Sequence, residues 1–288
     1  MERHRKKRSW YGYVFLLPAI LVLLALTIFP LIYSLNISFR NVTLLKLNQQ
    51  PFVGLANFLE IFKDPRFYNA ILKTLIFCIA LPFEFFIGLG IAVLYDRLPR
   101  QGALRMLFLI PMIIAPIVVA LMWRFMFNPN QGIFNYFLQT MGWKAIPWLS
   151  ESGTALASVI MVEVWQWTPF FFLVLYTGLR NVPLEPIEAA MVDGASRYKV
   201  FRFVKFPFLK TLILVTILIR LMDILKNFDL LFGLTQGGPG ISTEVLNFYT
   251  YIVGFKWFKL GYSSSLSYVL LVIIIIISNI FIKIFQRE

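Results

Sequence analysis

The sequence predicts an all-α membrane protein with six transmembrane helices, and three observations predict it. Of 288 residues, 59% are hydrophobic and only 14% are charged, against about 25% charged in an average soluble domain. Six apolar runs fall at about 11–35, 70–96, 103–127, 154–179, 209–232 and 261–284. Each exceeds the ~20 residues that cross ~30 Å of hydrocarbon as a helix. Positive charge is segregated. Of the 27 Lys and Arg, 16 fall in the segments on the N-terminal side, 7 on the opposite side and 4 inside the runs. Lys and Arg mark cytoplasmic segments, so both ends of the chain are expected in the cytoplasm.

The N-terminal "MERHRKKR" precedes the first run. A signal peptide has an apolar region of only 7–15 residues and a small-residue cleavage site. This run is longer and no such site follows, so it is read as an uncleaved first helix. In the first outer loop, 36–68, Leu55, Phe58, Leu59 and Phe62 recur at helical spacing and stop at Asp64-Pro65. That is the pattern of an interfacial helix. Pro82, Pro111, Pro116 and Pro169 lie inside runs, as membrane helices tolerate when neighbours satisfy the freed carbonyls. The last outer loop, 233–260, opens on a breaker cluster, Gln236-Gly237-Gly238-Pro239-Gly240. It continues with Tyr249, Phe255, Trp257 and Phe258, suited to the membrane–water interface.

The inventory excludes several chemistries. Cys78 is the only cysteine and His4 the only histidine. One cysteine allows no intrachain disulfide, and with the one histidine in the basic tail neither a His-based metal site nor a Ser-His-Asp triad is expected. No G-x-x-x-x-G-K-[ST] phosphate loop occurs. The net charge of +13 is explained by the membrane topology and not by nucleic acid.

Residues 181–207 form a basic, polar island between the fourth and fifth runs. An island of this kind cannot lie in hydrocarbon, and its charge places it in the cytoplasm. Two short helices are predicted there. Pro186 suits a first helical position, and Glu185 and Glu188 suit a first turn. Asp193-Gly194 reads as a stop, Ser196 as the second helix's N-cap, and Pro207 as a bend into the next run.

Polar side chains inside the runs need a reason, because each costs roughly 2.5–3.5 kcal/mol at a helix centre. In the fourth run, Glu163, Gln166, Trp167 and Phe170 share one helical face; in the fifth, Arg220, Asp223 and Asn227 do the same. Counting 1.5 Å per residue, Glu163 lies roughly 14 Å below the outer end and Asp223 roughly 21 Å above the inner end. Those depths are similar in ~30 Å of hydrocarbon. The two faces are expected to converge on a water-accessible pathway, with carboxylate, amide and guanidinium groups for hydroxyls and aromatic rings for sugar faces. An ion pair of Arg220 with Asp223, and of Glu163 with Lys226, is the competing reading. Glu84, alone in the second run, reads as a packing or water contact, and Trp123 and Tyr176 receive no role.

Glu188-Ala189-Ala190, Gly194 four residues on and the closing Pro207 resemble the "EAA" loop of the permease subunits of bacterial ABC importers. The outer segments "FVGLANF" and Leu234-Thr235, Gly237-Gly238-Pro239, Ser242-Thr243 and Leu260-Gly261-Tyr262 resemble that family's carbohydrate branch. Lys73-Thr74 stands where Asn-Thr is usual. The resemblance covers about 50–284, with a family core of about 69–284 in a single membrane domain. It implies the type I importer permease fold and a transport role without bond chemistry. Glu188, Ala189, Ala190, Asp193 and Gly194 would couple to a separate ATPase. The positions of Glu163, Trp167, Phe170, Arg220, Asp223 and Asn227 match the family's pocket-lining positions, with more charge here. The implied partners are a second permease, an ATPase dimer that binds ATP and Mg, and an extracytoplasmic binding protein. The expected cargo is a sugar or polyol. An anionic solute recruiting Arg220 is the alternative, and a gradient-driven transporter a more distant one.

Overall fold

The computed structural model describes residues 2–46, 48–98 and 102–286. Arg100 and Arg287, counted above among the inner cations, lie outside them. The described residues are helical apart from loops and two isolated β-bridges. They divide into two compact units, one of 1–64 with 250–270 and one of 65–249 with 271–288.

The first unit begins with a continuous rod: α1 (Glu2–Leu23), a π-helical turn (Leu24–Ile28) and α2 (Phe29–Ser38). Its apolar span, Tyr13–Ser38, buries almost nothing within the unit. Such an all-round apolar helix is stable only where lipid replaces water. Past its end, Asn57 Nδ2 donates to the freed carbonyls of Ser38 (2.8 Å) and Arg40 (3.0 Å). Asn57 belongs to α3 (Ala56–Ile61) and is buried, while Leu55, Leu59 and Phe62 remain exposed. The expected interfacial helix therefore presents its apolar side outward.

In the second unit, α4 (Pro65–Phe77) and α5 (Ala80–Tyr95) meet at a short turn and make one span, Pro65–Tyr95. It begins five residues earlier than the hydropathy run. The third run is not one straight helix. It consists of α6 (Gly102–Ile113) and α7 (Pro116–Met126), bent by 98°. Pro116 stands at the start of α7 and ends the preceding helix, since the residue before proline avoids the helical region. After α8 (Ile133–Thr140), α9 (Ser152–Arg180) runs unbroken through Pro169.

The polar island holds α10 (Leu184–Val192) and α11 (Arg197–Lys199). A π-helical stretch (Val200–Lys205) then leads straight into α12 (Phe206–Leu225). Pro207, expected to mark a bend, is the second residue of α12 and follows directly on the π-helical stretch, so it lies inside a continuous helical run and not at a free helix start. The fifth run ends at Leu225, before Lys226-Asn227, and its remainder is the separate α13 (Asp229–Leu234). The short α14 (Leu246–Tyr251) and a π turn (Ile252–Lys256) precede α15 (Leu260–Gln286).

Among the described residues, four helices are long and apolar enough to span a bilayer, or five if the bent α6–α7 pair is one span. The fifth apolar run does not qualify by composition, because its 20-residue helix carries Lys210, Arg220 and Asp223.

The α5–α9 contact is the core of the second unit. Tyr95, Phe171, Phe172, Leu175 and Tyr176 are buried there, with Leu209 and Ile213 of α12. Gly88 makes the approach possible. A Cβ at that position would lie 2.6 Å from Phe171 Cβ and 3.0 Å from the Phe172 backbone nitrogen. Backbone cannot swing aside as a flexible side chain can. Gly88→Val is expected to destabilise the folded chain by about 1–3 kcal/mol, seen as a lower midpoint in a thermal-unfolding assay in detergent. An unchanged midpoint would show that the two helices can part without cost.

Candidate functional sites

Two sites stand out in the second unit: the hairpin of 181–207, and a polar cluster buried among α5, α9 and α12.

The hairpin is built by local rules. Pro183 is the N-cap residue of α10. Val182 before it and Ile187 four positions into the helix are both buried in one small core with Val200. This is a hydrophobic staple, which fixes the entry angle of the chain. Pro186 is therefore third in the helix and not first, still among the positions whose N–H has no helical partner. Glu185 lies in the first turn as expected, but Glu188 falls one turn further on.

At the other end, Ala195 N–H donates to Ala190 O (2.9 Å) and Gly194 N–H to Met191 O (3.0 Å). These two bonds define a Schellman cap. Gly194 holds φ at 75°, which side chains with a Cβ resist. Ser196 then caps α11, its Oγ accepting from Lys199 N–H. Glu188, Ala189, Val192 and Asp193 face solvent, with Val192 87% exposed. Ala190 turns inward and packs on the hairpin's own core.

Asp96, the C-cap residue of α5, anchors the hairpin. It accepts from Lys205 Nζ at 3.0 Å and lies 3.9 Å from Arg180. No local pattern in the sequence marks this three-residue tie.

In the polar cluster, Arg220 Nε and Nη2 donate to Glu84 Oε2 and Oε1, both at 3.0 Å. Nη2 also donates to Glu163 Oε1 at 2.8 Å, and Asn227 Nδ2 donates to Glu163 Oε2 at 2.9 Å. Glu84, Glu163 and Arg220 are all at most 1% exposed. Arg220 Cζ lies 4.4 Å from the centroid of the Trp167 ring, a cation–π contact. Three helices are thereby joined by one guanidinium, whose planar fork suits two carboxylates at once.

The competing pairings of the sequence reading do not form. Arg220 binds Glu84 and Glu163 instead of Asp223. Lys226 lies 3.6 Å from Asp223, and both are about half exposed. Glu84 is the residue sequence reasoning undervalued. The signal was available: a carboxylate in an apolar run needs a cation, and Arg220 is the one arginine of the fifth run.

Gln166 is also fully buried. Its Nε2 donates to Ile114 O at 3.2 Å. That carbonyl lies beside the α6–α7 bend, where Val118 N–H has turned to Ala115 O instead. Glu163, Gln166 and Arg220 are thus all buried. Trp167, Phe170, Asp223 and Asn227 keep partial or full exposure. Among the described residues no group of three His, Cys, Asp or Glu side chains is placed to hold a metal.

Residues 84–287 match the family model described as "Binding-protein-dependent transport system inner membrane component". The chain belongs to this family. It is 37% identical over 281 residues to "Probable ABC transporter permease protein y4oQ" of Sinorhizobium fredii, covering 96% of this chain and 91% of the relative. It is 32% identical over 285 residues to "Trehalose/maltose transport system permease protein MalF" of Thermococcus litoralis, covering 96% and 95%. In solved structures, its fold matches a chain of a bacterial ABC transporter involved in the import of the acidic polysaccharide alginate. The TM-score is 0.87 at 23% identity, covering 98% of this chain and 96% of that one. A second structure of a bacterial alginate ABC transporter, in complex with an alginate pentasaccharide-bound periplasmic protein, gives 0.84 at 23% identity, covering 96% and 93%. The family is one of inner-membrane transport components, so a permease role, with several apolar helices in that membrane, follows from membership and fold.

Proposed function

We propose that this chain is one of two related permease subunits of an ATP-driven importer for a sugar or polyol. It crosses the membrane six times with both ends cytoplasmic, counting the bent α6–α7 pair and the charged α12 as spans. A separate ATPase dimer binds ATP and Mg and docks on the outward face of α10, at Glu188, Ala189, Val192 and Asp193. An extracytoplasmic binding protein delivers the solute. The trehalose/maltose name of one relative and the periplasmic protein bound in a solved neighbour support the cargo class and this partner.

One observation carries the mechanism. From Arg197 to Leu225 the chain is a single unbroken helical rod: α11, the π stretch and α12. Arg220 sits on it 23 residues beyond Arg197, roughly 35 Å away at 1.5 Å per residue. Displacement of the hairpin by the closing ATPase therefore moves the helix that holds the Glu84–Arg220–Glu163 cluster. The exposed wall beside that cluster forms part of the solute path. Trp167 offers one ring face while Arg220 occupies the other, and Asp223 and Asn227 offer polar groups for hydroxyls.

The cluster also bears on the charge of the cargo. Arg220 already serves two carboxylates, so it has no net positive charge to lend to an anionic solute. A neutral solute is the better reading. Asp223→Ala tests the wall. Among the described residues the Asp223 side chain has only its half-exposed partner Lys226 to lose, and such pairs stabilise by about 0–1 kcal/mol. Uptake in proteoliposomes should fall while the complex elutes intact. Normal uptake would remove Asp223 from the path. Dependence of uptake on internal ATP tests the importer reading itself, since a gradient-driven carrier would not need it.

A further inference from the structure

A cavity of about 310 Å³ opens where the hairpin meets the ends of α5 and α9. Val93 of α5, Leu179 of α9, Ile187 of α10 and Val200 form an apolar floor. Arg97, Arg197 and Lys205 stand around it. Lys205 is committed to Asp96, which also draws Arg180. Arg97 and Arg197 are exposed, and no carboxylate pairs with either among the described residues. The arrangement is amphipathic: two free guanidinium groups over an apolar base, at the level where two spanning helices end.

We propose that this cavity binds the headgroup of an anionic membrane phospholipid, its phosphate on Arg97 and Arg197 and its upper chain on the Val93–Leu179–Ile187 floor. Charge complementarity and depth both favour that occupant. Basic pockets between membrane helices on the cytoplasmic side suit anionic headgroups, and guanidinium forks suit phosphate oxygens. A soluble phosphate would use the two arginines but leave the apolar floor bare. The placement rests on the cytoplasmic assignment made above. Its consequence is specific. Arg97 and Val93 belong to the bundle, whereas Arg197 and Ile187 belong to the hairpin, so a lipid held here braces the joint through which the ATPase would act.

The test is lipid retention by the full chain in nanodiscs containing phosphatidylglycerol and phosphatidylcholine. Native chain should hold phosphatidylglycerol preferentially. Each neutralised arginine should weaken that preference about fivefold, from about 1 kcal/mol per cation near the surface. Arg97→Gln with Arg197→Gln should therefore abolish it, and Arg97→Lys with Arg197→Lys should retain most of it. Equal retention of both lipids by native chain would overturn the proposal. So would an undiminished preference in the double glutamine variant, or displacement of the lipid by inorganic phosphate. Both residues are exposed, so the variants should fold, and monodisperse elution checks this. Retention is read without transport. A failure here leaves the importer reading untouched, and ATP-independent uptake would leave this one untouched.

Discussion

Arg220→Met is expected to lower the stability of the folded chain by about 3–5 kcal/mol, the cost of leaving buried charge without its partner. Glu84 and Glu163 are both buried and each accepts from the same guanidinium. Methionine fills a similar volume but leaves two carboxylates facing one another in a dry interior. Arg220→Lys should recover only part of the loss. One ammonium cannot reproduce the bidentate fork on Glu84 while reaching Glu163. The informative comparison is Arg220→Met combined with Glu84→Gln and Glu163→Gln. Removing the charges together should restore much of the stability, because a buried ion pair costs nearly as much in desolvation as it gains. Thermal-unfolding midpoints of the purified chain read all three. A single variant as stable as the native chain would show that Arg220 does not hold α5, α9 and α12 together.

Gly194→Val should strike function more than folding. The residue would have to adopt φ of 75°, at about 1–2 kcal/mol for a side chain with a Cβ. No atom crowds a Cβ at that position, so the penalty is conformational and not steric. The same 1–2 kcal/mol is a factor of about 5–30 in a two-state equilibrium, here between the Schellman-capped hairpin and a frayed one. Uptake should fall by up to that factor, while α9 and α12, held by the aromatic core and by Asp96, stay in place. Gly194→Asn, which tolerates the left-handed region, should retain most activity. Full uptake by the valine variant at equal expression would show that the cap is not needed for coupling.

Much of this was legible in the sequence because it depends on local rules. The stop at Gly194, the cap at Ser196 and the long apolar helices α9 and α15 need only near neighbours. Other features failed where distant contacts decide. The third run looks continuous in hydropathy, yet Pro116 breaks it, and Gln166 of another helix takes up the Ile114 carbonyl. The fifth run reads as one span to residue 232, but its apolar tail is the separate helix α13, which packs against α7. The pairing of Arg220 with Glu84 crosses 136 positions, and helical periodicity cannot see it. Periodicity gave the shared face of Glu163, Gln166 and Trp167, but not that the first two are buried behind it.

The hairpin can couple to an ATPase only from the cytoplasmic side. A single cysteine at Ala189, an exposed position, in a Cys78→Ala background tests it with a membrane-impermeant maleimide. Labelling is expected in inverted membrane vesicles and not in intact cells. Labelling in intact cells would put the Glu188 helix on the wrong side of the membrane for any ATPase to push it.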